Sequence, residues 1–123
     1  MHNLKEKKMA IGYVWDVKTV DTYPTKDSKS DVIYDVHWRL TATDDTNKDS
    51  DGKYYSSSSY GTQIIDTSDL SNFKAFASVT SSDVQGWVES AMGADEVASI
   101  KSGLDANIAE QITPTSVTKE LAG

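Results

Sequence analysis

The sequence predicts an α+β domain: an antiparallel meander of three strands, followed by two helices that pack on one face of the sheet. The first half of the chain carries segments in which apolar residues alternate, and the second half carries segments with helical spacing. Strands that precede helices in this way are typical of α+β domains. We divide the 123 residues into an N-terminal arm (1–10), a single domain (11–114) and a C-terminal tail (115–123).

The first two strands are predicted from the alternation of apolar and polar residues. The first covers 11–21, and the second, over 32–43, is the clearest element of the chain. One face of the second strand carries apolar side chains: Val32, Tyr34, Val36, Trp38, Leu40 and Ala42. The opposite face is mostly polar: Ile33, Asp35, His37, Arg39, Thr41 and Thr43. A shift of one residue would expose the whole apolar set, so we expect a fixed register.

Two polar segments are predicted to connect the strands. Residues 23–30 form a loop, in which Pro24 cannot donate to a sheet. Residues 44–52 form a turn that ends in a glycine with positive φ. The third strand, over 53–66, is rich in serine and has few apolar residues. We therefore expect it at an edge of the sheet, or packed against something outside the domain.

Both helices are predicted from capping residues and apolar stripes, after an irregular connector. The hydroxyl of Thr80 and the carboxylate of Asp83 mark the start of a helix over 81–92, and Gly93 ends it. Its apolar stripe consists of Val84, Trp87, Val88 and Ala91. A second helix over 95–112 carries a similar stripe, formed by Val97, Ile100, Leu104, Ile108 and Ile112.

The composition argues against nucleic acid and membranes as partners. The net charge is −7, whereas phosphate binding needs clustered lysine and arginine. No apolar run approaches the ~18 residues of a membrane span, and the N-terminus lacks the apolar region of a signal peptide. Without cysteine, the chain cannot form a disulfide or a thiolate metal site. We expect a soluble protein without a cofactor that is made and assembled in a cytoplasm.

The N-terminal arm is the one basic segment of the chain. It holds Lys5, Lys7 and Lys8, with only Glu6 opposing them. Such an arm is suited to an acidic neighbour or to nucleic acid. The alternative interpretations are a solvated tail, or residues upstream of an alternative start at Met9.

The polar turn resembles the opening of a calcium-binding loop. Asn47, Asp49 and Asp51 stand at alternate positions before a glycine, and hard oxygen ligands of this kind suit calcium. The position that should supply a bidentate glutamate is Ser58. We therefore favour a solvated hairpin turn over a metal site.

His37 is the only histidine outside the arm, and it stands two residues from both Asp35 and Arg39. A base and an acid at this spacing would still need an activated nucleophile and an oxyanion site, and no residue pattern marks either. We interpret His37 as a surface or interface residue. Asp16, Asp35 and Asp66 are interpreted as solvated positions, and no enzyme activity is predicted.

The third strand combines serines with three tyrosines, Tyr54, Tyr55 and Tyr60. Rigid aromatic rings mixed with small polar groups are typical of protein-binding surfaces. Ordinary cross-strand packing at a sheet edge explains the same pattern. Both interpretations stay open, and the candidate interface residues are these tyrosines and the three lysines of the arm.

The order of the motifs resembles a family of small, uncharacterised or structural proteins of tailed phages, notably those of cyanobacteria and other aquatic bacteria. The resemblance covers roughly residues 11–114. It is carried by Trp15-x-Val17, Val36-His37-Trp38, Phe73-x-x-Phe76, Thr80-x-x-Asp83-Val84-x-x-Trp87-Val88 and Ile108-x-x-Gln111-Ile112. It implies a structural protein of the virion without catalytic residues.

The specific hypothesis is a capsid decoration or cement protein that contacts other virion proteins in many copies. A neck or tail component of the virion is the first alternative. A phage protein outside the virion that binds a host protein is the second.

Overall fold

The computed structural model describes residues 10–122, which form a three-stranded antiparallel sheet followed by two helices. The strands are β1 (Ile11–Lys26), β2 (Lys29–Lys48) and β3 (Tyr54–Ile64), and they lie in the order β1-β2-β3. The helices are α1 (Ser81–Met92) and α2 (Ala94–Ile112), preceded by a 3-10 turn over Phe76–Ser78. The predicted α+β fold is confirmed, with β3 at an edge of the sheet.

The hydrophobic core lies between one face of the sheet and the two helices. Its fully buried members come from β2 and from both helices: Val36, Leu40, Ala42, Val88 and Ile108. The indoles of Trp15 and Trp38 meet edge to face, with ring centroids 5.7 Å apart. The even-numbered residues of β2 from Val36 to Ala42 therefore face the core, as the alternation predicts.

The start of α1 follows the predicted capping box. The Thr80 hydroxyl accepts a hydrogen bond from the Asp83 backbone N–H, and the Asp83 carboxylate accepts one from the Thr80 N–H. Lys74 adds a 2.7 Å ion pair to the same carboxylate. Gly93, with φ of 93°, separates the helices as expected. Ala91 is exposed, contrary to the predicted stripe, and Met92 packs against the core instead.

The predicted loop over 23–30 is wrong, because β1 and β2 continue to a two-residue turn. Asp27 and Ser28 adopt φ of 50° and 66°, the left-handed conformation that tight hairpins require. Pro24 is tolerated within β1 because β1 is an edge strand, where one side needs no donor.

A β-bulge overturns the predicted orientation of Ile33. The pairing of β1 with β2 shifts between Asp21↔Asp35 and Thr22↔Ile33, which leaves Tyr34 as an extra residue. Ile33 consequently turns into the core, where it is 8% exposed. Tyr34 stacks on Tyr23, with ring centroids 4.2 Å apart.

The predicted turn over 44–52 is shorter than expected, since β2 continues to Lys48. Gly52 has φ of 82°, as predicted. Asp44 is completely buried, and it accepts hydrogen bonds from the Thr46 and Asn47 N–H groups and from the Asn47 amide. Burial alone raises the pKa of Asp44, but these hydrogen bonds outweigh it and hold the pKa below its ordinary value.

Candidate interaction surface

The face of the sheet opposite the helices is uncovered, and we call it the open face. Both helices pack on the other side, as the core residues show. Three apolar or aromatic side chains of the open face are strongly exposed: Val14 at 68%, Tyr60 at 73% and Ile64 at 60%. Between them lie hydroxyl groups, such as those of Thr41 and Ser58, which are 2.8 Å apart. The open face is therefore a surface that mixes apolar and polar groups.

The two edges of the sheet differ in how they are protected from pairing with another strand. The edge at β1 carries Lys18, Pro24 and Lys26, and its pairing with β2 shifts register twice. Charges, proline and bulges of this kind are the devices that discourage pairing with a further strand. β3 carries no charged residue and no proline between Tyr54 and Ile64. It is the less protected edge.

Backbone groups of β3 point away from the sheet at the even positions. The Ser56 carbonyl accepts a 2.8 Å hydrogen bond from the Gln111 amide of α2, and the Ile64 carbonyl accepts one from the Gln63 amide. The same alternation directs the backbone groups of Ser58, Tyr60 and Thr62 outward. Within residues 10–122, no side chain hydrogen-bonds to the backbone groups of these three residues. We call the segment 58–62 the β3 edge.

The predicted tyrosines divide between the two faces. Tyr54 and Tyr60 lie on the open face, where Lys48 and Arg39 stand over their rings at 4.9 and 5.0 Å from the centroids. Tyr55 points the other way and packs against the core. The binding interpretation thus applies to Tyr54 and Tyr60, and cross-strand packing describes Tyr55. Lys5, Lys7 and Lys8 lie outside the described residues.

His37 is paired with a residue that the sequence did not suggest. Its Nε2 lies 2.8 Å from Asp21 Oδ2, and both side chains are 45% exposed. The bulged pairing of β1 and β2 brings Asp21 to this place, opposite Asp35. One carboxylate oxygen of Asp35 is buried, and within residues 10–122 it has no hydrogen-bond partner.

The three carboxylates that the sequence suggested do not come together. Asp16 faces Arg39 across the β1–β2 pair, Asp35 faces Asp21, and Asp66 lies in the connector after β3. A general acid and base with unequal environments would need two of them in contact. Asp21 could have been found only from a register that includes the bulge.

The residues considered for calcium belong to the structure of the hairpin turn. The Asn47 amide donates to Asp44, and Asp49 Oδ1 accepts from the backbone N–H groups of Asp51 and Lys53 at 2.8 and 3.0 Å. In the described part of the chain, no group of three or more histidine, aspartate or glutamate residues is arranged to hold a metal ion. The geometry is that of a turn stabilised by its own carboxylate.

Across 10–122, neither helix combines the length and the apolar character needed to span a bilayer.

Comparison with known proteins finds no match among curated proteins and none among solved structures. One family model, described as a domain of unknown function (DUF7936), matches residues 10–121. This range contains every strand and helix described above. The chain therefore belongs to the DUF7936 family.

Proposed function

We propose that this protein is a structural component of a phage virion, with capsid decoration as the specific role, and that it acts through contacts of the open face and the β3 edge. The observation that carries the proposal is the unprotected β3 edge beside exposed Tyr60 and Ile64. Proteins that stay monomeric usually shield such an edge. The virion setting is supported by the order of the motifs, from Trp15 to Ile112.

The mechanism is surface complementarity. An extended segment of a neighbouring subunit would pair with the β3 edge, and each backbone hydrogen bond would contribute about 0.5–1.5 kcal/mol. Burial of Tyr60, Ile64 and Val14 would add an apolar term of roughly 25 cal/mol per Å². Contacts of this size are weak one at a time, and a repeated particle lattice multiplies them.

The test is quantitative mass spectrometry of purified particles of the phage that encodes the chain. We expect copies in a fixed ratio to the major capsid protein. A much smaller fixed number would favour the neck or tail. Complete absence from the particles would refute the structural role and favour a protein that binds a host partner.

A matched pair of variants tests the surface itself. Tyr60→Lys places a charge at the centre of the β3 edge, and we expect it to reduce incorporation into particles without changing the fold. Phe76→Lys is the control, because Phe76 is 46% exposed but lies outside the open face. Equal incorporation of both variants would exclude the β3 edge as the contact.

A further inference from the structure

A cavity of about 220 Å³ lies between the start of β2 and the connector that follows β3. Its walls are largely apolar and include Val32, Ile65, Leu70, Phe73 and Trp87. Pockets for drug-sized ligands measure roughly 300–1,000 Å³, so this cavity is better matched to one apolar side chain of a partner. We call it the connector pocket.

Three exposed carboxylates also line the connector pocket, and their exposure places them at its mouth: Asp31, Asp66 and Asp69. The Ser68 N–H donates to Asp66 and the Ser71 N–H to Asp69, at 2.8 and 2.9 Å, and these hydrogen bonds lower the pKa of both carboxyl groups. Both therefore stay ionised at neutral pH.

Basic residues near the mouth do not cancel its negative charge. Lys74 is engaged in the 2.7 Å ion pair with Asp83, and the Lys29 ammonium lies 5.9 Å from the centroid of the Phe73 ring. The mouth therefore keeps an excess of negative charge around an apolar interior. An occupant that complements it has an apolar side chain next to several cations.

We propose that the connector pocket receives the basic arm of a second copy of this chain, with Leu4 in the cavity and Lys5, Lys7 and Lys8 against the carboxylates. The arm reads Leu4-Lys5-Glu6-Lys7-Lys8-Met9, and it is the one basic segment of an acidic chain. This proposal rests on the assembly role above, and it names a partner for that role.

The geometry requires a second copy, because the arm cannot reach the pocket of its own subunit. The Ala10 carbonyl accepts a 3.0 Å hydrogen bond from the Asp45 N–H, near the end of β2, whereas the pocket begins at Asp31, near its start. These ends are roughly 45 Å apart at ~3.3 Å per strand residue. Leu4, the residue proposed to enter the cavity, lies at most about 22 Å from Ala10 along an extended chain.

The resulting contact is head to tail. The arm leaves one end of the sheet and the pocket lies at the other, so each subunit offers both halves of the interface. A contact of this kind closes into a ring or extends into a filament.

The competing site for the arm is the β2–β3 hairpin, which lies close to Ala10. Asp45 and Asp51 are exposed there, and the arm of the same subunit could pair with them. Variants of these two residues therefore serve as the charge-matched control for variants of the pocket.

The first experiment is sedimentation equilibrium of the full chain from about 20 μM to 1 mM. We expect self-association with a Kd on the order of 10⁻⁴ M, as a few exposed ion pairs and one buried leucine allow. The double variant Asp66→Asn with Asp69→Asn should weaken it about tenfold, since each asparagine keeps the oxygen that accepts the serine N–H. Asp45→Asn with Asp51→Asn should leave it unchanged.

The second experiment mixes two full-length variants, each of which should associate with itself only weakly. One lacks the arm contacts (Leu4→Ser, Lys5→Gln, Lys7→Gln and Lys8→Gln) and keeps the pocket. The other lacks the pocket charges and keeps the arm. We expect a one-to-one complex with no larger species, and a change in Trp87 fluorescence as the pocket fills.

Three results would overturn the proposal: a monomeric wild type up to 1 mM, equal weakening by the hairpin variants, or no complex on mixing. Circular dichroism of each variant must match that of the wild type. The particle measurement above is independent, because virion copies without arm-dependent association would refute only this inference.

Discussion

The hydroxyl of Tyr13 donates a 2.6 Å hydrogen bond to Asp105 Oδ1 and so joins β1 to α2 across 92 residues of sequence. From the same helix, the Lys101 ammonium lies 4.8 Å from the centroid of the Tyr13 ring. Burial, together with the hydrogen bond to Asp105 and its charge, raises the pKa of Tyr13 to about 12. This contact fixes where the last helix sits along the first strand.

Tyr13→Phe should lower the free energy of unfolding by about 1–2 kcal/mol at pH 7, because it removes a partly buried hydrogen bond to a charged group. The folded-state pKa is above the ordinary value of 10.0, so the stabilisation is complete below pH 10 and is lost as the pH rises through about 12. Urea unfolding of the wild type and the variant at pH 7 measures the loss of stability, and the same comparison at pH 11.5 measures how much of the difference remains at high pH. Tyr54→Phe, on the open face, should change stability by less than about 0.5 kcal/mol.

Asp44→Asn should cost about 1–3 kcal/mol, because it turns one of the buried acceptors into a donor that faces the N–H groups of Asn47. The pKa of Asp44 is below its ordinary value of 3.8 in the folded state. Its stabilisation is therefore present above pH 4 and is lost as the pH falls below that value. Unfolding curves of the wild type and the variant should differ at pH 7 and should lie closer together at pH 2.5. The control variant is Asp45→Asn, at the exposed neighbouring residue, and it should leave the free energy of unfolding at pH 7 unchanged.

Gly61→Ala and Gly86→Ala should have opposite effects on stability. A Cβ at Gly61 would lie 3.1 Å from Cζ2 of the Trp38 indole, whereas nothing lies within 4 Å of a Cβ at Gly86. The first variant overfills the core and should cost about 1–2 kcal/mol. The second removes a glycine from the interior of α1 and should stabilise by about 0.5–1 kcal/mol. Thermal melts that moved both variants in the same direction would contradict this packing.

Tyr60→Ser tests whether the open face stabilises the isolated domain. Since Tyr60 is 73% exposed, we expect a loss of less than about 1 kcal/mol, chiefly the contact with Arg39. Val36→Ala, in the centre of β2, is the contrasting variant and should cost about 2–4 kcal/mol. Chemical unfolding of both separates a surface residue from a core residue. A large loss for Tyr60→Ser would mean that the ring belongs to the core.

Much of the fold was predictable because local signals agree with the tertiary structure. The capping pair of Thr80 and Asp83, the positive φ of Gly93 and the alternation from Val36 to Ala42 all act over a few residues. The bulge at Tyr34 was not predictable, because its cause is the pairing with β1 and no local residue pattern marks it. Strict alternation consequently assigned Ile33 to the wrong face.

The candidate surface was predictable only in outline. The scarcity of apolar residues in β3 correctly predicted that it lies at an edge. Which tyrosine is exposed depends on the alternation of side chains along the strand, which points Tyr60 to the open face and Tyr55 to the core. The pairing of His37 with Asp21 depends on the same bulged register. The connector pocket depends on how residues after β3 fold back onto β2, and no periodicity in the sequence reports that.

The central strand also predicts how the domain opens. Residues from Asp35 to Thr43, apart from Trp38, pair with β1 on one side and with β3 on the other, whereas Ser30, Val32 and Ile33 pair with β1 alone. Amide hydrogens in the doubly paired stretch should exchange with solvent only on global unfolding. Amide hydrogens near the Asp27–Ser28 turn should exchange by local opening, at rates orders of magnitude higher than those of the doubly paired stretch. The residues that β2 contributes to the connector pocket, Asp31, Val32 and Ile33, thus lie in the less stable part of the strand. Small rearrangements of the pocket wall therefore need little free energy.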